Sequence, residues 1–157
     1  MKIDKKQLAL SIALPLLVGI VSGLLTRNAM MNFVVLNKPP LSPPGWLFPI
    51  VWTILYTLMG VSAYLIKTAD ANSEDIANAL ALYHYQLIVN FLWPVFFFNF
   101  GWYLLAFLWL LLLWVLVIFM LISFYKIRPL AAYLNIPYLI WLTFAAYLNF
   151  GIWWLNR

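Results

Sequence analysis

The carboxylates are the first candidates for chemistry, and the sequence holds only four of them: Asp4, Asp70, Glu74 and Asp75. All four lie outside the long uncharged stretches that fill most of the chain. Proton-coupled pumps and antiporters use ionisable groups inside the bilayer, and acid–base hydrolysis uses paired carboxylates. The sequence also contains no cysteine. These observations argue against all three activities: proton coupling, hydrolysis and thiol chemistry.

The single histidine of the chain, His84, lies inside a long apolar stretch, in the run Tyr83-His84-Tyr85-Gln86. A neutral imidazole is a common axial ligand of haem iron, so a haem site is one interpretation. No other metal-binding residue accompanies it at ligand spacing. The isolation of His84 therefore favours a hydrogen-bonded structural role, and we expect no protein-bound metal.

Polar amides inside the apolar stretches form a second set of candidates. Gln86 and Asn90 are four residues apart and share one helix face, and Asn149 lies in a later stretch. An unsatisfied amide in hydrocarbon is costly, so each of these side chains must find a partner. That partner is either another helix of the bundle or a ligand in a cavity.

Aromatic side chains form the third set. Nine Trp, nine Tyr and twelve Phe residues are more than two interfacial belts require in so small a protein, so several rings must face inward. Three pairs share a helix face at a spacing of four residues: Trp52 with Tyr56, Trp93 with Phe97, and Trp141 with Ala145. Such faces either line a pocket for a flat apolar ligand or pack as ordinary core and lipid-facing rings.

The elements that position these residues are predicted to be membrane-spanning helices. The chain has 157 residues, of which 67% are apolar and 8% are charged, a balance untypical of a soluble domain. Its main uncharged stretches cover residues 7–26, 39–66, 76–125 and 129–156. A span needs about 20 apolar residues, so the third stretch holds two spans, divided at Asn99-Phe100-Gly101. The sequence therefore predicts an all-α integral membrane protein with one domain over 1–157, a five-transmembrane-helix bundle with spans at about 8–25, 46–66, 77–98, 102–124 and 132–154.

The connection between the first two spans, residues 26–45, is predicted to be a stiff loop. Four of its last seven residues are proline, and each proline lacks a backbone N–H and disfavours helix in the residue before it. The middle of the connection, residues 30–36, is apolar. This pattern indicates either a lid over the mouth of the bundle or a segment that rests on lipid.

Two local patterns concern helix packing and helix ends. Gly19 and Gly23 form a G-x-x-x-G pair in the first span, which allows close approach of a neighbouring helix or of a second copy of the chain. Ser73 precedes Glu74 and Asp75, and we expect it to be the N-cap of the third span.

Three stretches of the sequence carry a resemblance to a known family. They are residues 39–56 (PPLSPPGWLFPIVWTILY), residues 86–93 (QLIVNFLW) and residues 137–149 (PYLIWLTFAAYLN). The chain resembles the tryptophan-rich sensory protein family, TspO/MBR, which includes the mitochondrial translocator protein or peripheral benzodiazepine receptor. The match covers nearly the whole chain, including its length and its number of spans.

The resemblance implies a five-helix bundle, commonly a homodimer, with a cavity under the first loop that accepts porphyrins and isoquinoline or benzodiazepine drugs. Trp52, Trp141, Asn90 and Ala145 match family cavity positions. The expected neighbours of these positions in the cavity are Tyr56, Phe97, Phe48 and Pro44. No cofactor is required by this reading, and porphyrin or haem is the expected ligand.

Two departures limit what the resemblance carries over. Many family members have a Trp-Tyr pair where this chain has Asn32-Phe33, and a Trp where it has Leu41, so the lid contacts are not carried over. The C-terminal sterol-recognition pattern of the animal proteins is missing, because no cation follows Tyr147 until Arg157. Sterol binding is not inferred.

The leading functional hypothesis is a membrane tetrapyrrole-binding protein, sensory or transporting, with a cavity that also takes benzodiazepine-site drugs. One alternative is an enzyme that degrades porphyrin with light and oxygen, with Trp52 and Trp141 as its catalytic residues. A structural membrane scaffold is the second alternative. The expected partners are a porphyrin-type molecule, the lipid bilayer and a second copy of the chain. Nucleic acid is not expected, because the Lys and Arg residues lie at span ends and face lipid headgroups.

The distribution of cations predicts the orientation in the membrane, which is expected to be a bacterial cell membrane. The end that carries the N-terminus has six cations and the opposite end has three: Lys2, Lys5, Lys6, Lys67, Lys126 and Arg128 against Arg27, Lys38 and Arg157. By the positive-inside rule we expect the N-terminus in the cytoplasm and the first loop outside. Protease cleavage of the 27–44 loop from the cytoplasmic face alone would contradict this orientation.

Overall fold

The computed structural model describes residues 2–157, and these residues form helices joined by short connections, without a β-strand among them. The helices are α1 (Lys5–Thr26), α2 (Met30–Phe33), α3 (Leu47–Lys67), α4 (Ser73–Pro94), α5 (Tyr103–Ile127), α6 (Pro129–Tyr133) and α7 (Ile136–Leu155). A π-helical turn, Val95–Asn99, continues α4. Five helical segments are long and apolar enough to cross a membrane: α1, α3, α4 with its π turn, α5, and α6 with α7. The predicted all-α bundle of five spans is confirmed.

The ends of the third and fifth spans differ from the sequence prediction. The third span begins at Ser73, a turn earlier than residue 77. Ser73 is already helical, and the N-cap is Asn72, whose side-chain oxygen accepts a hydrogen bond from the N–H of Glu74 at 2.8 Å. The predicted cap at Ser73 was wrong because an N-cap needs non-helical backbone angles, and Asn72 has them. The fifth span is interrupted after Tyr133, so that α6 and α7 are separate helices.

The helices pack in a defined order around a buried core. The backbones of α1 and α4 approach α3, whereas α5 packs against α4 and α7. Helices α3 and α7 are not among the pairs whose backbones approach closely. Large side chains fill the space between α3 and α7, and these include the predicted site residues.

The contact between α1 and α3 depends on Gly60, which belongs to no G-x-x-x-G pair in the sequence. A Cβ atom added to Gly60 of α3 would lie 2.4 Å from the Cα of Ile12 and 2.7 Å from the carbonyl oxygen of Ser11. Pro15 of α1 has no N–H to donate to that carbonyl, so the oxygen lacks its usual helical partner. Gly60 thus lets the two backbones meet at this point.

The two glycines of the predicted G-x-x-x-G pair behave differently. Gly19 faces the ring of Tyr56 on α3, and an added Cβ would lie 2.4 Å from that ring. Gly23 is exposed, and nothing lies within 4 Å of the position of an added Cβ. Gly19 therefore serves packing inside the bundle, as the first interpretation proposed.

Gly60→Ala is expected to lower the free energy of unfolding by about 1–3 kcal/mol, because the added methyl group meets backbone atoms that cannot turn away. Gly23→Ala is the matched control, since alanine is the better helix former by about 1 kcal/mol and meets no neighbour there. Thermal unfolding in detergent, followed by tryptophan fluorescence, measures both variants. Equal midpoints for the two variants would contradict the close contact.

Candidate ligand site beneath the first loop

A cluster of aromatic rings lies between α3 and α7. On α3, the ring of Trp52 stacks on Tyr56 with centroids 5.3 Å apart. Across the gap, Trp52 makes an edge contact with Tyr138 at 6.2 Å, and Phe48 makes one with Trp141 at 5.9 Å. Residues four apart on a helix share a face, which is why α3 presents these rings together. The predicted residues Phe48, Trp52, Tyr56 and Trp141 are thus brought into one cluster.

A chain of hydrogen bonds lies deeper in the bundle, below these rings. The hydroxyl of Tyr56 donates to Asn90 Oδ1 at 2.6 Å, and Asn90 Nδ2 donates to the hydroxyl of Tyr138 at 2.8 Å. Tyr138 in turn donates to Gln86 Oε1 at 2.7 Å. All four side chains are buried. Gln86 and Asn90 therefore do share a face of α4, and interhelical hydrogen bonds satisfy both amides.

The indole N–H groups of Trp52 and Trp141 differ from those of the three tryptophans that donate hydrogen bonds between helices. Trp93, Trp109 and Trp114 donate to Asn149 Oδ1, Val89 O and Thr143 Oγ1 at distances of 3.0, 2.8 and 2.9 Å. Within residues 2–157, neither Trp52 nor Trp141 has a hydrogen-bond acceptor for its N–H. Both rings are also only partly buried. They keep donor capacity and ring surface that a ligand could use.

Phe97 belongs to a neighbouring cluster, which the π turn shapes. Pro94 cannot donate a backbone hydrogen bond, and α4 widens into the π turn immediately after it. In that turn Phe97 is buried, stacked on Trp93 at 5.1 Å and in edge contact with Tyr103 at 4.9 Å. The predicted pair of Trp93 and Phe97 is confirmed as a shared face, but it packs beside the Trp52 cluster and not within it.

The first loop joins the two clusters. Its ring, Phe33, lies 6.4 Å from Phe48, 6.2 Å from Phe97 and 5.8 Å from Phe98. Phe33 ends the short helix α2, which the sequence analysis did not predict. This is the geometry that the lid interpretation requires, although Met31 and other apolar residues of the loop are exposed.

The second half of the loop is fastened to α7. The N–H of Asn37 donates to Asn156 Oδ1 at 3.0 Å, and Asn156 Nδ2 donates back to the carbonyl of Asn37 at 2.8 Å. The hydroxyl of Tyr147 donates to the carbonyl of Pro40 at 2.8 Å. The ring of Pro39 packs on Gly151, where an added Cβ would lie 2.6 Å from it. We call these contacts the loop latch.

The other predicted residues lie at the edge of the site or away from it. Pro44 is exposed, and its carbonyl accepts a hydrogen bond from the N–H of Leu47 at the start of α3. Ala145 is half-buried and packs on the core. His84 is exposed on the outer face of α4, and residues 2–157 contain no cluster of three His, Cys, Asp or Glu side chains that could hold a metal ion.

Two residues of the site were missed by the sequence analysis. Tyr138 contacts Trp52 and bonds both amides of α4, and its spacing of three residues from Trp141 on α7 was the available signal. Phe33 was named only as a departure from the family pattern. The apolar run 30–36 that contains it indicated a lid, but not which of its side chains contacts the bundle.

Comparison with known proteins agrees with this architecture. A family model for the TspO/MBR family matches residues 11–155. The chain belongs to the TspO/MBR family. It is 35% identical over 150 residues to the Tryptophan-rich protein TspO of Chlorobaculum tepidum, covering 95% of each chain. It is 36% identical over 149 residues to the Translocator protein of Bos taurus, covering 92% of this chain and 86% of that one. It is also 39% identical over 121 residues to the Tryptophan-rich sensory protein of Cereibacter sphaeroides, covering 77% and 74%.

Family membership confirms the resemblance seen in the sequence. Together with five apolar helices, it makes this chain an integral membrane protein. The matched region, residues 11–155, includes all five spans except the first residues of α1. The ring cluster, the buried hydrogen-bond chain and the loop above them therefore all lie within the part of the chain that the family shares.

Proposed function

We propose that this TspO/MBR-family protein binds a flat tetrapyrrole, porphyrin or haem, between α3 and α7 and beneath the first loop, as a sensor or transporter of that ligand. The observation that carries the proposal is the ring cluster between α3 and α7, in which Trp52 and Trp141 are only partly buried and have no protein acceptor for their N–H groups. A wide aromatic ligand stacks on such rings and accepts hydrogen bonds from such donors.

The surrounding side chains support an apolar planar ligand over a charged one. Phe48 and Tyr56 extend the ring surface along α3, and Ala145 is the small residue on the α7 side. The polar groups below them, Asn90 and Tyr138, are neutral and already hydrogen-bonded. The site thus offers stacking area with a few uncharged polar atoms, which is the usual composition of a small-molecule pocket.

Binding requires the first loop and some of the rings to move. The rings of Phe33, Phe48 and Trp141 contact one another in sequence, so the mouth is closed by side chains. Two surface grooves, of about 310 and 400 Å³, lie elsewhere on the bundle, and neither is lined by the proposed site residues. A loop that opens and closes over its ligand is the motion that this arrangement suggests.

A titration of the purified protein with protoporphyrin IX tests the proposal. We expect saturable quenching of tryptophan fluorescence, because Trp52 and Trp141 would lie against the macrocycle. A benzodiazepine-site drug is expected to compete, since the proposed site also accommodates flat drug-sized aromatics. Absence of quenching and of any shift in porphyrin absorbance would favour the scaffold alternative.

Light- and oxygen-dependent breakdown of the bound porphyrin is the second candidate function. It is favoured by the stacking of Trp52 on Tyr56, whose hydroxyl forms a hydrogen bond of 2.6 Å to Asn90. If Trp52 is oxidised beside the ligand, Tyr56 is in contact with the oxidised indole and can supply an electron to it. A new absorbing species that forms only in light and oxygen would support this activity.

The names of the relatives fit both a sensor and a transporter, because they read Translocator protein and Tryptophan-rich sensory protein.

The homodimer, the bacterial cell membrane and the cytoplasmic N-terminus stay predictions. Cross-linking in native membranes would check the dimer.

A further inference from the structure

The charged side chains are distributed unequally between the two ends of the bundle. The N-terminus, the α3–α4 connection and the α5–α6 junction lie at one end, and this end holds all four acidic residues: Asp4, Asp70, Glu74 and Asp75. The first loop, the α4–α5 turn and the end of α7 lie at the other. That end, the loop end, has three cations and no acidic side chain: Arg27, Lys38 and Arg157.

Lys38 is the cation of the loop end that lies over the lid ring, Phe33. Its Nζ atom is 4.8 Å from the centroid of Phe33, the ring that contacts both Phe48 and Phe97. It is partly buried, and it donates to the carbonyls of Val34 and Leu36, both at 3.3 Å. Carbonyls carry no net charge, so the charge of Lys38 is not neutralised, and its third N–H is still available.

The other two cations are placed differently. Arg157 lies over the ring of Trp154 at 3.5 Å, on the outer surface of the end of α7. Arg27 is exposed at the end of α1. Lys38 also makes no direct contact with the Trp52 and Trp141 rings, but its partner Phe33 contacts Phe48 of that cluster. Among residues 2–157, the ring partners of Arg157 are Trp153 and Trp154, and Arg27 has no ring partner. Lys38 is therefore the cation of the loop end that is connected to the cluster through a ring.

We propose that Lys38 binds a carboxylate of the ligand and thereby selects acidic tetrapyrroles, with their carboxylate edge toward the first loop. This inference rests on the proposed tetrapyrrole site and adds its ligand orientation and its preference for acids. Protoporphyrin IX is flat and apolar except for two propionate groups on one edge. The macrocycle matches the aromatic cluster, and the carboxylate edge matches the end of the bundle that has cations but no acidic side chain.

The test compares protoporphyrin IX with its dimethyl ester, which has the same ring and no carboxylate. Affinities are measured in nanodiscs of zwitterionic lipid, so that lipid charge does not contribute. The wild type is expected to bind the acid more tightly than the ester. Lys38→Gln is expected to weaken binding of the acid about tenfold and to leave binding of the ester unchanged, because a charge-assisted hydrogen bond is lost.

Matched controls separate a local contact from the general field. Arg27→Gln and Arg157→Gln remove the same charge from the same end and are expected to change affinity for the acid less than about twofold, because exposed charges are screened. Lys38→Arg is expected to retain the preference for the acid.

Three results would overturn the inference while leaving the proposed function intact. Equal weakening of acid and ester by Lys38→Gln would assign Lys38 to holding the loop through Val34 and Leu36. If Arg27→Gln and Arg157→Gln weaken binding of the acid as much as Lys38→Gln does, the preference for the acid comes from the electrostatic field of the whole loop end. If Lys38→Gln changes the affinity for neither the acid nor the ester, Lys38 does not contact the ligand. If the wild type binds neither porphyrin, the proposed function itself fails.

Discussion

Replacing Trp52 by alanine is expected to weaken porphyrin binding by about one to two orders of magnitude. The indole stacks on Tyr56 and presents its partly buried face and its free N–H to the proposed ligand position. Losing a stacked and buried ring of this size costs on the order of 1–3 kcal/mol. The change in porphyrin absorbance on binding is the measurement, because the substitution removes one of the fluorescent reporters.

Trp52→Phe distinguishes binding from photochemistry. Phenylalanine keeps a ring face for stacking, so affinity is expected to fall only a few-fold. Phenylalanine is much harder to oxidise than tryptophan, so light-driven porphyrin breakdown would be abolished if Trp52 takes part in it. Unchanged light-driven breakdown in a variant that still binds would exclude Trp52 from the chemistry.

Trp46→Ala is the matched control for both experiments. Trp46 immediately precedes α3, at the same end of the bundle, and its side chain is 68% exposed. Its removal is expected to leave porphyrin affinity unchanged. Equal losses in Trp46→Ala and Trp52→Ala, with both proteins folded, would show that the ligand does not bind between α3 and α7.

The spans and the α3 ring pair were predictable because each rests on one local property of the sequence. Charged residues are excluded from the bilayer core, so the uncharged stretches located the five spans. The spacing of four residues placed Trp52 and Tyr56 on one helix face, and in the structure their rings stack there. Neither inference needs any knowledge of how the helices are arranged.

The partners across the gap were not predictable in the same way. The bond between Asn90 and Tyr138 joins residues that are 48 positions apart, and the bonds between Asn37 and Asn156 join residues 119 apart. Both depend on which helix faces lie opposite each other. The sequence showed that Asn90 needs a partner but not that Tyr56 and Tyr138 provide it. The amide therefore has fewer sites left for a ligand than its sequence position suggested.

The first loop is predictable as a stiff segment, but its attachment to α7 is a property of the folded chain. Prolines indicated the stiffness, whereas the seat for Pro39 exists because α7 has a glycine, Gly151, at the point of contact. The loop latch holds the half of the loop that follows Asn37. The half that carries Phe33 is held by ring contacts and by Lys38, whose Nζ atom donates to the carbonyls of Val34 and Leu36. This division suggests that the Phe33 half opens while the latched half serves as its hinge.

Gly151→Leu is expected to loosen the loop and to speed porphyrin dissociation about tenfold. A Cβ at this position would lie 2.6 Å from one Pro39 ring atom and 2.7 Å from another, and leucine adds further bulk, so the loop must move away from α7. Asn156→Ala is an independent way to weaken the same latch, because it removes both bonds to the backbone of Asn37. Each lost bond contributes roughly 1 kcal/mol, so the two variants are expected to act in the same direction.

Two measurements on these variants test whether the loop latch controls release. Stopped-flow chase of bound protoporphyrin gives the dissociation rate, and limited proteolysis of residues 27–44 reports how readily the loop opens. Gly23→Leu is the control, because nothing lies within 4 Å of an added Cβ at that position on α1. If Gly151→Leu and Asn156→Ala increase proteolysis but leave the dissociation rate unchanged, the first loop does not gate the site. Faster dissociation in step with faster proteolysis would identify the latched loop as the element that retains the ligand, since release would then follow the opening of the segment that carries Phe33.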